Sequence, residues 1–289
     1  MAFEAKIIKD SICNGQRLTT MQLTHPRIIH AEFNTHRMFA RNASSSRAIP
    51  FATAVQRVID DPFIPVWWGK NQKGMQAVEE LSIPDKLIAT ARWLEARDRA
   101  IDYAKNLSEV LDVHKQIVNR LIEPWSWITV CVTGDAGAWS NYFSLRCHPD
   151  AQPEIQKQAY MAQLVYYKSK PDELESGMWH LPYILPEDYN IFTDGVDAMI
   201  KLKKVSVGRC ARTSYLTQEG KRDLEKDIEL HDRLFNHRPL HASPFEHVCE
   251  AMGDVSRYAL YTGWRSYRYT MKNEYVRDFV PNHPDLIKK

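Results

Sequence analysis

The sequence predicts an α+β fold in which strands pack against helices. Two stretches rich in strand-forming residues, 6–11 and 17–24, surround the turn pair Asn14 and Gly15, which is typical of a β-hairpin. Elsewhere apolar residues recur at the spacing of an amphipathic helix, most clearly from Leu87 to Leu107. These two patterns together indicate the mixed class.

The other elements follow from the same rules. Proline suits the first turn of a helix, so we predict a helix entered through Pro26, followed by a polar stretch over 35–47. Alternation of Ile128, Val130 and Val132 predicts a strand, and Pro124 is expected to end the helix before it. The predicted helices cover about 26–33, 87–107, 113–122, 135–146, 154–167, 196–214 and 221–235, and 170–194 is expected to be an ordered excursion.

Composition places the chain among ordinary globular proteins, with 44% hydrophobic and 26% charged residues. A formal charge of +2 is too small to predict nucleic acid or a membrane as a partner. No apolar run approaches the roughly 20 residues that span a bilayer, and the N-terminus lacks the pattern of a secretion signal, so we expect a cytoplasmic protein. The five scattered cysteines contain no Cys-x-x-Cys pair and are expected to be reduced.

The segment 35–47 combines three arginines, a histidine and three consecutive serines. Hydroxyls, backbone N–H groups and guanidinium groups are the ligands that a phosphate needs. The alternative is a solvated basic loop. In a second segment, 141–152, Arg146 follows aromatic residues at the predicted end of a helix, and its guanidinium is suited to bind a carbonyl edge or a phosphate. The alternative is that Arg146 only stabilises the C-terminus of that helix as a cation.

A third segment, His241 to His247, places two histidines and Glu246 around a turn. This spacing matches no familiar zinc pattern, so we predict no metal site. The pair Cys147 and His148 resembles a thiol nucleophile beside a base, but adjacency alone is weak evidence for that chemistry.

Together these segments resemble the flavin-dependent thymidylate synthases. The family signature, Arg-His-Arg, seven residues, Ser and then Arg after one residue, is matched by His36, Arg37, Ser45 and Arg47, with Thr35 replacing the first arginine. Its later run from Asn to Ala-Gln-x-Glu-Ile is matched by the segment 141–155. The family's His-Glu-Thr-Pro-Phe-Glu-His and Ala-Arg-Val-Ser-Tyr are matched by 241–247 and 211–215.

The order of these segments differs from that of the family. In the family, the two segments that correspond to 211–215 and 241–247 precede the signature. In this chain they follow it by more than 160 residues. The chain therefore resembles a circularly permuted member, which surface termini make possible. The resemblance implies one domain over 1–289, with a central antiparallel sheet flanked by helices, nucleotide segments in 26–167, flavin segments in 195–255 and a possible helical insertion at 60–110.

The resemblance also implies a reaction. Family enzymes transfer a one-carbon unit from methylenetetrahydrofolate to C5 of dUMP, with FAD as the hydride donor and NADPH as the reductant. They are homotetramers whose sites lie between subunits. Carried over by position, the substrate-binding residues are Glu32, Ser45, Ser46, Arg47, Arg120 and Arg146, of which Arg146 and Ser45 are the catalytic candidates. The cofactor-binding residues are His36, Arg37, Met38, Asn42, Asn141, Leu145, Asp150, Ser214, His241, Ser243 and Glu246.

Several positions depart from the family pattern. Ala43 and Ala48 stand where the family has Glu and Tyr, Glu32 where it usually has Gln, and Gly137 where an Arg is expected. These changes leave open a hydroxymethylase in which water quenches the intermediate, giving 5-hydroxymethyl-dUMP, or an enzyme that acts on dCMP. Such products serve to make modified viral DNA, which would place the protein in a host cytoplasm. A non-catalytic nucleotide-binding protein is the alternative of another class.

Overall fold

The computed structural model describes residues 2–192, 195–213, 223–237 and 240–271. Numbered in chain order, the strands β1 to β10 are Glu4–Cys13, Gln16–Pro26, Ala40–Ala43, Trp127–Asp135, Asp172–Glu173, Trp179–His180, Cys249–Ala251, Arg257–Tyr258, Tyr261–Thr262 and Trp264–Ser266. The helices α1 to α9 are His30–Phe33, Phe51–Asp60, Ile83–Lys105, Lys115–Val118, Ala136–Arg146, Pro153–Lys168, Pro186–Ile191, Gly195–Ala211 and Leu224–Asn236. Short 3-10 helices cover Arg27–Ile29, Ser46–Ala48, Asn119–Trp125, Ser243–Glu246 and Tyr267–Thr270, and a π-helix, Asn106–Val110, continues α3.

The main sheet has the strand order β3-β4-β2-β1-β5. Its first four strands are antiparallel, and the short β5 runs parallel to β1. The hairpin of β1 and β2 turns at Asn14 and Gly15, whose φ angles are 45° and 77°. Asparagine and glycine are the residues that adopt this left-handed conformation most readily. The α+β prediction with a largely antiparallel sheet is therefore confirmed.

Strand β4, which lies between β3 and β2, is buried on both faces. Val130 and Val132 belong to the apolar core formed with α5 and α6, where Trp139 and Tyr142 are fully buried. Because side chains alternate along a strand, Thr133 points the opposite way and hydrogen-bonds to His247 at 2.8 Å. The sheet thus separates the helical core from a layer built by the C-terminal half of the chain.

That second layer contains the three-stranded sheet β10-β7-β6 and the helix pair α8 and α9. A Cβ at Gly208 of α8 would lie 2.3 Å from the backbone oxygen of Asp227 in α9. The two helices therefore approach each other more closely there than any other residue type permits. Arg209, next along α8, is 1% exposed and pairs with Asp188 and Asp227.

The segment between β3 and β4 forms a separate apolar cluster. It contains Val55 and Val58 of α2, Ile101 and Ala104 of α3, and Trp125 at the end of a 3-10 helix. Within the described ranges, no helix is long and apolar enough to cross a membrane.

Two sequence predictions were wrong in detail. The polar stretch 35–47 contains the strand β3, which its polar residues did not indicate because pairing with the distant β4 creates it. Pro124 does not end the helix before β4, since a 3-10 helix continues through it to Trp125. The predicted helix end at Ser214 and the predicted start at Lys221 lie outside the described residues.

Candidate active site

Arg146, the last residue of α5, is held by side chains that lie in and just after α1. Its Nε donates to Nε2 of His36 at 2.8 Å, and its Nη1 donates to the Glu32 carboxylate. Its Nη2 lies 3.4 Å from Oγ1 of Thr35. A guanidinium has five N–H donors, so these three contacts fix its plane and leave donors for a ligand. The Arg146 side chain is 19% exposed, so part of it remains accessible.

His36 accepts the hydrogen bond from Arg146 as a neutral base. Burial, followed by the nearby charges of Arg146 and Arg41, lowers the pKa of His36 from 6.5 to about 4. A neutral ring whose Nε2 accepts from Arg146 carries its proton on Nδ1. The His36 and Tyr142 rings are nearly perpendicular at a centroid distance of 4.9 Å, and the Tyr142 hydroxyl donates to Gln158. The position of His36 is therefore set by both the core and Arg146.

A cavity of about 680 Å³ opens beside Glu32. One wall comes from the segment between α2 and α3, with Trp67 and Gln76, and the other from residues 149–153 and Gln156. Nε2 of Gln76 donates to the Asp150 carbonyl at 3.0 Å and so joins the two walls. This volume is within the range of small-molecule sites.

Asn42 in β3 connects the first half of the chain to the second. Its Nδ2 donates to the carbonyl oxygens of Cys210 at 2.8 Å and Ala211 at 3.3 Å, at the end of α8. Its Oδ1 accepts from Ser243 Oγ at 3.4 Å. Segments separated by about 200 residues thus meet at one edge of the main sheet.

The turn that follows Ser243 is fixed to the same edge. Glu246 accepts from Arg268 at 2.6 Å, and burial of His247 on Thr133 anchors the end of the turn. Arg41 of β3 lies near Glu246 and donates to the carbonyl oxygens of Asn34 at 2.7 Å and His36 at 3.0 Å. Arg41 therefore links this edge to the loop that carries His36.

The consecutive serines have different surroundings. Ser45 is half-buried, and its Oγ accepts from the backbone N–H of Arg47 at 3.3 Å. Ser46 is 6% exposed and faces inward, where its carbonyl accepts from Asn119 at 2.7 Å. Arg120 pairs with Glu123 at 3.1 Å. Arg146 and its partners Glu32, Thr35 and His36 form what we call the Arg146 cluster. The hydrogen bonds and ion pairs of the described residues do not connect Ser45, Arg47 or Arg120 to this cluster.

The remaining candidates lie mostly on the surface. Met38 is half-buried against the apolar core, and Ser214 lies outside the described residues. In the part of the chain that the structure describes, no group of three His, Cys, Asp or Glu side chains is arranged to hold a metal ion. The exposed candidates are Arg37, Asn141, Leu145, Asp150, His241 and Ser243.

Sequence reasoning missed several residues that shape these sites. Arg41 is one of the three arginines of the segment 35–47, but the sequence pattern assigned it no role. Tyr142 could have been found from its position one turn before Arg146 in α5. Trp67, Gln76 and Arg268 carry no local signal, because their contacts form only in the folded chain.

Comparison with known proteins identifies the relatives of this chain. The family model for the thymidylate synthase complementing protein matches residues 17–169. No curated protein matches the sequence significantly.

Similar solved structures include two of the UMP/dUMP methylase PolB from Streptomyces cacaoi, one bound with 5-Br dUMP and one with 5-Br UMP. Each has 14% identity and a TM-score of 0.46 over 58% of this chain, covering 91% and 88% of the respective PolB chains.

The family match includes every residue of the Arg146 cluster and the whole signature segment. It extends over more than half of the 289 residues. The chain therefore belongs to the thymidylate synthase complementing protein family and is an enzyme of the flavin-dependent thymidylate synthase type.

Proposed function

We propose that this protein transfers a one-carbon unit from methylenetetrahydrofolate to C5 of dUMP and releases dTMP. The observation that carries the proposal is the Arg146 cluster beside the 680 Å³ cavity, within a chain of this family. Such a site needs no protein nucleophile. It needs donors that polarise the pyrimidine carbonyls and walls that orient the reactants.

Arg146 and Glu32 provide the groups that a uracil edge requires. The unused N–H groups of Arg146 would donate to a carbonyl oxygen of the base and stabilise the negative charge that develops there during attack from C5. The Glu32 carboxylate accepts hydrogen bonds only, so it would accept the imide N–H. His36 and Glu32 hold the guanidinium in place, so little reorganisation is needed when the base binds.

Ser45, Arg47 and Arg120 are the proposed phosphate ligands. All three carry accessible polar groups, and guanidinium forks match phosphate oxygens well. No hydrogen bond or ion pair among the described residues joins them to the Arg146 cluster, which is consistent with a site completed between subunits of a homotetramer. Ser46 points away from this surface, so its backbone rather than its hydroxyl would contribute there.

The residues at the β3 edge fit the polar groups of FAD. Asn42 and Ser243 offer an amide and a hydroxyl in mutual contact, Arg37 offers an exposed guanidinium for a diphosphate, and His241 an exposed ring. The proposed set also includes His36, Met38, Asn141, Leu145, Asp150, Ser214 and Glu246. When bound, FAD would supply hydride, with NADPH as its reductant. The contact of Asn42 with the end of α8 supports the permuted arrangement of the family segments.

A second candidate product is 5-hydroxymethyl-dUMP. Ala43 and Ala48 replace an acid and an aromatic residue of the family pattern with single methyl groups. In this alternative, the loss of the acid and of the aromatic ring would admit water, which would capture the transferred carbon. The same substitutions motivate dCMP as an alternative substrate and a viral origin.

The product identifies the reaction. FAD-loaded protein is incubated anaerobically with methylenetetrahydrofolate, NADPH and either dUMP or dCMP, and the nucleotide is analysed by mass spectrometry. We expect dUMP to gain one CH2 unit. A gain of one CH2O unit would replace the proposal by the hydroxymethylase, and absence of product from both nucleotides would contradict it. Reactions without folate are the control.

We expect dUMP affinity to fall in acid because His36 becomes protonated. The folded-state pKa of His36 is depressed from 6.5 to about 4, so the ring stays a neutral acceptor well below pH 6.5 and loses this role only as the pH falls through about 4. Protonation removes the acceptor for Arg146 Nε and adds a like charge. Calorimetric titration with dUMP across this range measures the effect.

The variant His36→Phe keeps the ring packing on Tyr142 but cannot titrate. It should bind dUMP about 10-fold more weakly than the wild type at neutral pH, equivalent to one lost charge-assisted hydrogen bond. Its affinity should not show the additional loss near pH 4. The same acid-dependent loss in both proteins would assign the titration to another group.

A further inference from the structure

A second, smaller cavity lies behind the signature segment. Its volume is about 200 Å³, and it is enclosed by Arg27, Ser46, the inner face of α2, Asn119 and Trp127. The side chains of Ser45, Arg47 and Arg120 do not line it. Small-molecule pockets for drug-sized ligands are about 300–1,000 Å³, so this one has room for a single ring.

Two buried polar groups of the wall lack partners. Ser46 is 6% and Asn119 2% exposed, and within the described residues neither Ser46 Oγ nor Asn119 Oδ1 has a hydrogen-bond partner. Both N–H groups of the Asn119 amide are already used on the carbonyls of Ser46 and Ile49. Because a buried polar group without a hydrogen-bond partner is energetically costly, a ligand that donates to these oxygens would be stabilised.

Arg57 of α2 adds a donor to the same wall. Burial lowers the pKa of its guanidinium, and among the described residues no side chain or carbonyl accepts from it. Arg27, by contrast, pairs with Glu123 at 3.5 Å and donates to the Ser44 carbonyl at 3.1 Å. A carbonyl oxygen on the ligand would therefore find a donor in Arg57.

The remaining chemistry favours an uncharged ligand. Asp60, Asp61 and Glu123 line the cavity beside the two arginines, so the acids outnumber the cations and a free anion is disfavoured. Apolar walls come from Ala54, Val58, Ile122 and Ile49, which suit the faces of a flat ring. The ligand thus needs an N–H next to a C=O on one small heterocycle.

We propose that this cavity binds a free pyrimidine base of the uracil type, at a site separate from the nucleotide. The ring N–H would donate to Asn119 Oδ1 or Ser46 Oγ, and a ring carbonyl would accept from Arg57. Because Ser46 lies between Ser45 and Arg47, a base bound in this cavity would affect the position of these two proposed phosphate ligands.

Isothermal titration calorimetry with uracil tests the proposal on the full-length protein, without folate or NADPH and with saturating dUMP present. We expect uracil to bind, and 1,3-dimethyluracil, which lacks both ring N–H groups, to bind at least about 10-fold more weakly, as expected for one lost hydrogen bond. No binding of uracil, equal binding of both compounds, or displacement of uracil by dUMP would overturn the proposal. The readout needs no turnover, so an inactive enzyme would leave this result intact.

Two variants locate the site. Ala54→Leu fills the cavity and should abolish uracil binding, whereas Ala52→Leu, the same change at an exposed position of α2, should not affect it. Arg57→Met keeps the packing and removes the donor, and should weaken binding about 10-fold. Unchanged uracil affinity in a folded Arg57→Met protein would overturn the assignment of the carbonyl partner, and binding of inorganic phosphate in place of uracil would overturn the ligand class.

Discussion

Replacing Arg146 by lysine is expected to lower kcat/KM for dUMP by about 100- to 1,000-fold, the usual cost of losing one preorganised donor at a developing negative charge. The ammonium group retains the charge but not the planar fork. Its three N–H donors lie on a single nitrogen, so they cannot reproduce the spacing at which separate guanidinium nitrogens reach His36, Glu32 and the base. Steady-state kinetics at saturating folate and NADPH measure the loss.

A matched control separates this effect from general perturbation. Arg92→Lys makes the same change on the exposed surface of α3, where Arg92 is 76% exposed, and should leave kcat/KM unchanged. The flavin absorbance of the Arg146→Lys protein should equal that of the wild type, since Arg146 is not among the proposed flavin ligands. An Arg146→Lys enzyme with wild-type kcat/KM would remove Arg146 from the proposed mechanism.

Glu32→Gln tests the second member of the pair. The amide still accepts from Arg146, so the guanidinium should remain near its position. The carboxylate charge that holds it is lost, and an N–H donor now faces the base. We expect a smaller effect than for Arg146→Lys, about 10-fold in kcat/KM, mostly through KM, because a hydrogen bond to a charged group is weakened rather than removed.

The sequence indicated most elements because their signals are local. The Asn14–Gly15 turn, the alternation of Val130 and Val132, and the helical spacing around Ile101 each depend on neighbours within a few residues. Strand β3 depends on pairing with β4, about 90 residues away. Its residues, Ala40 to Ala43, therefore carry no strand pattern of their own.

The candidate site shows the same division. The resemblance to the family is enough to propose Arg146 and Glu32 as substrate residues, but nothing in their spacing predicts that they bind each other. Ser45 and Ser46 are equivalent in the sequence. The 3-10 turn that starts at Ser46 directs one outward and the other into the cavity behind α2, so only the folded chain separates their roles.

The buried ion pairs of Arg209 give the largest expected effect on stability. Arg209 donates to Asp188 at 2.5 and 3.0 Å, to Asp227 at 3.1 Å and to the Tyr183 carbonyl at 2.7 Å. It thereby joins helices α7, α8 and α9. Arg209→Met leaves two carboxylates buried beside a methionine and should lower the free energy of unfolding by about 3–5 kcal/mol, the cost of breaking a buried pair by removing one partner.

The pH dependence of this loss distinguishes charge from packing. Burial already raises the pKa of Asp227 against the opposing effect of Arg209, so removing Arg209 should raise it further. The Asp227 carboxyl would then be protonated and uncharged in mild acid, where the deficit of the variant should shrink; at neutral pH the deficit should be largest. Urea denaturation at several pH values measures this, with the exposed Arg233→Met of α9 as the control. A deficit independent of pH would mean that Arg209 stabilises the helices through packing of its alkyl chain rather than through its charge.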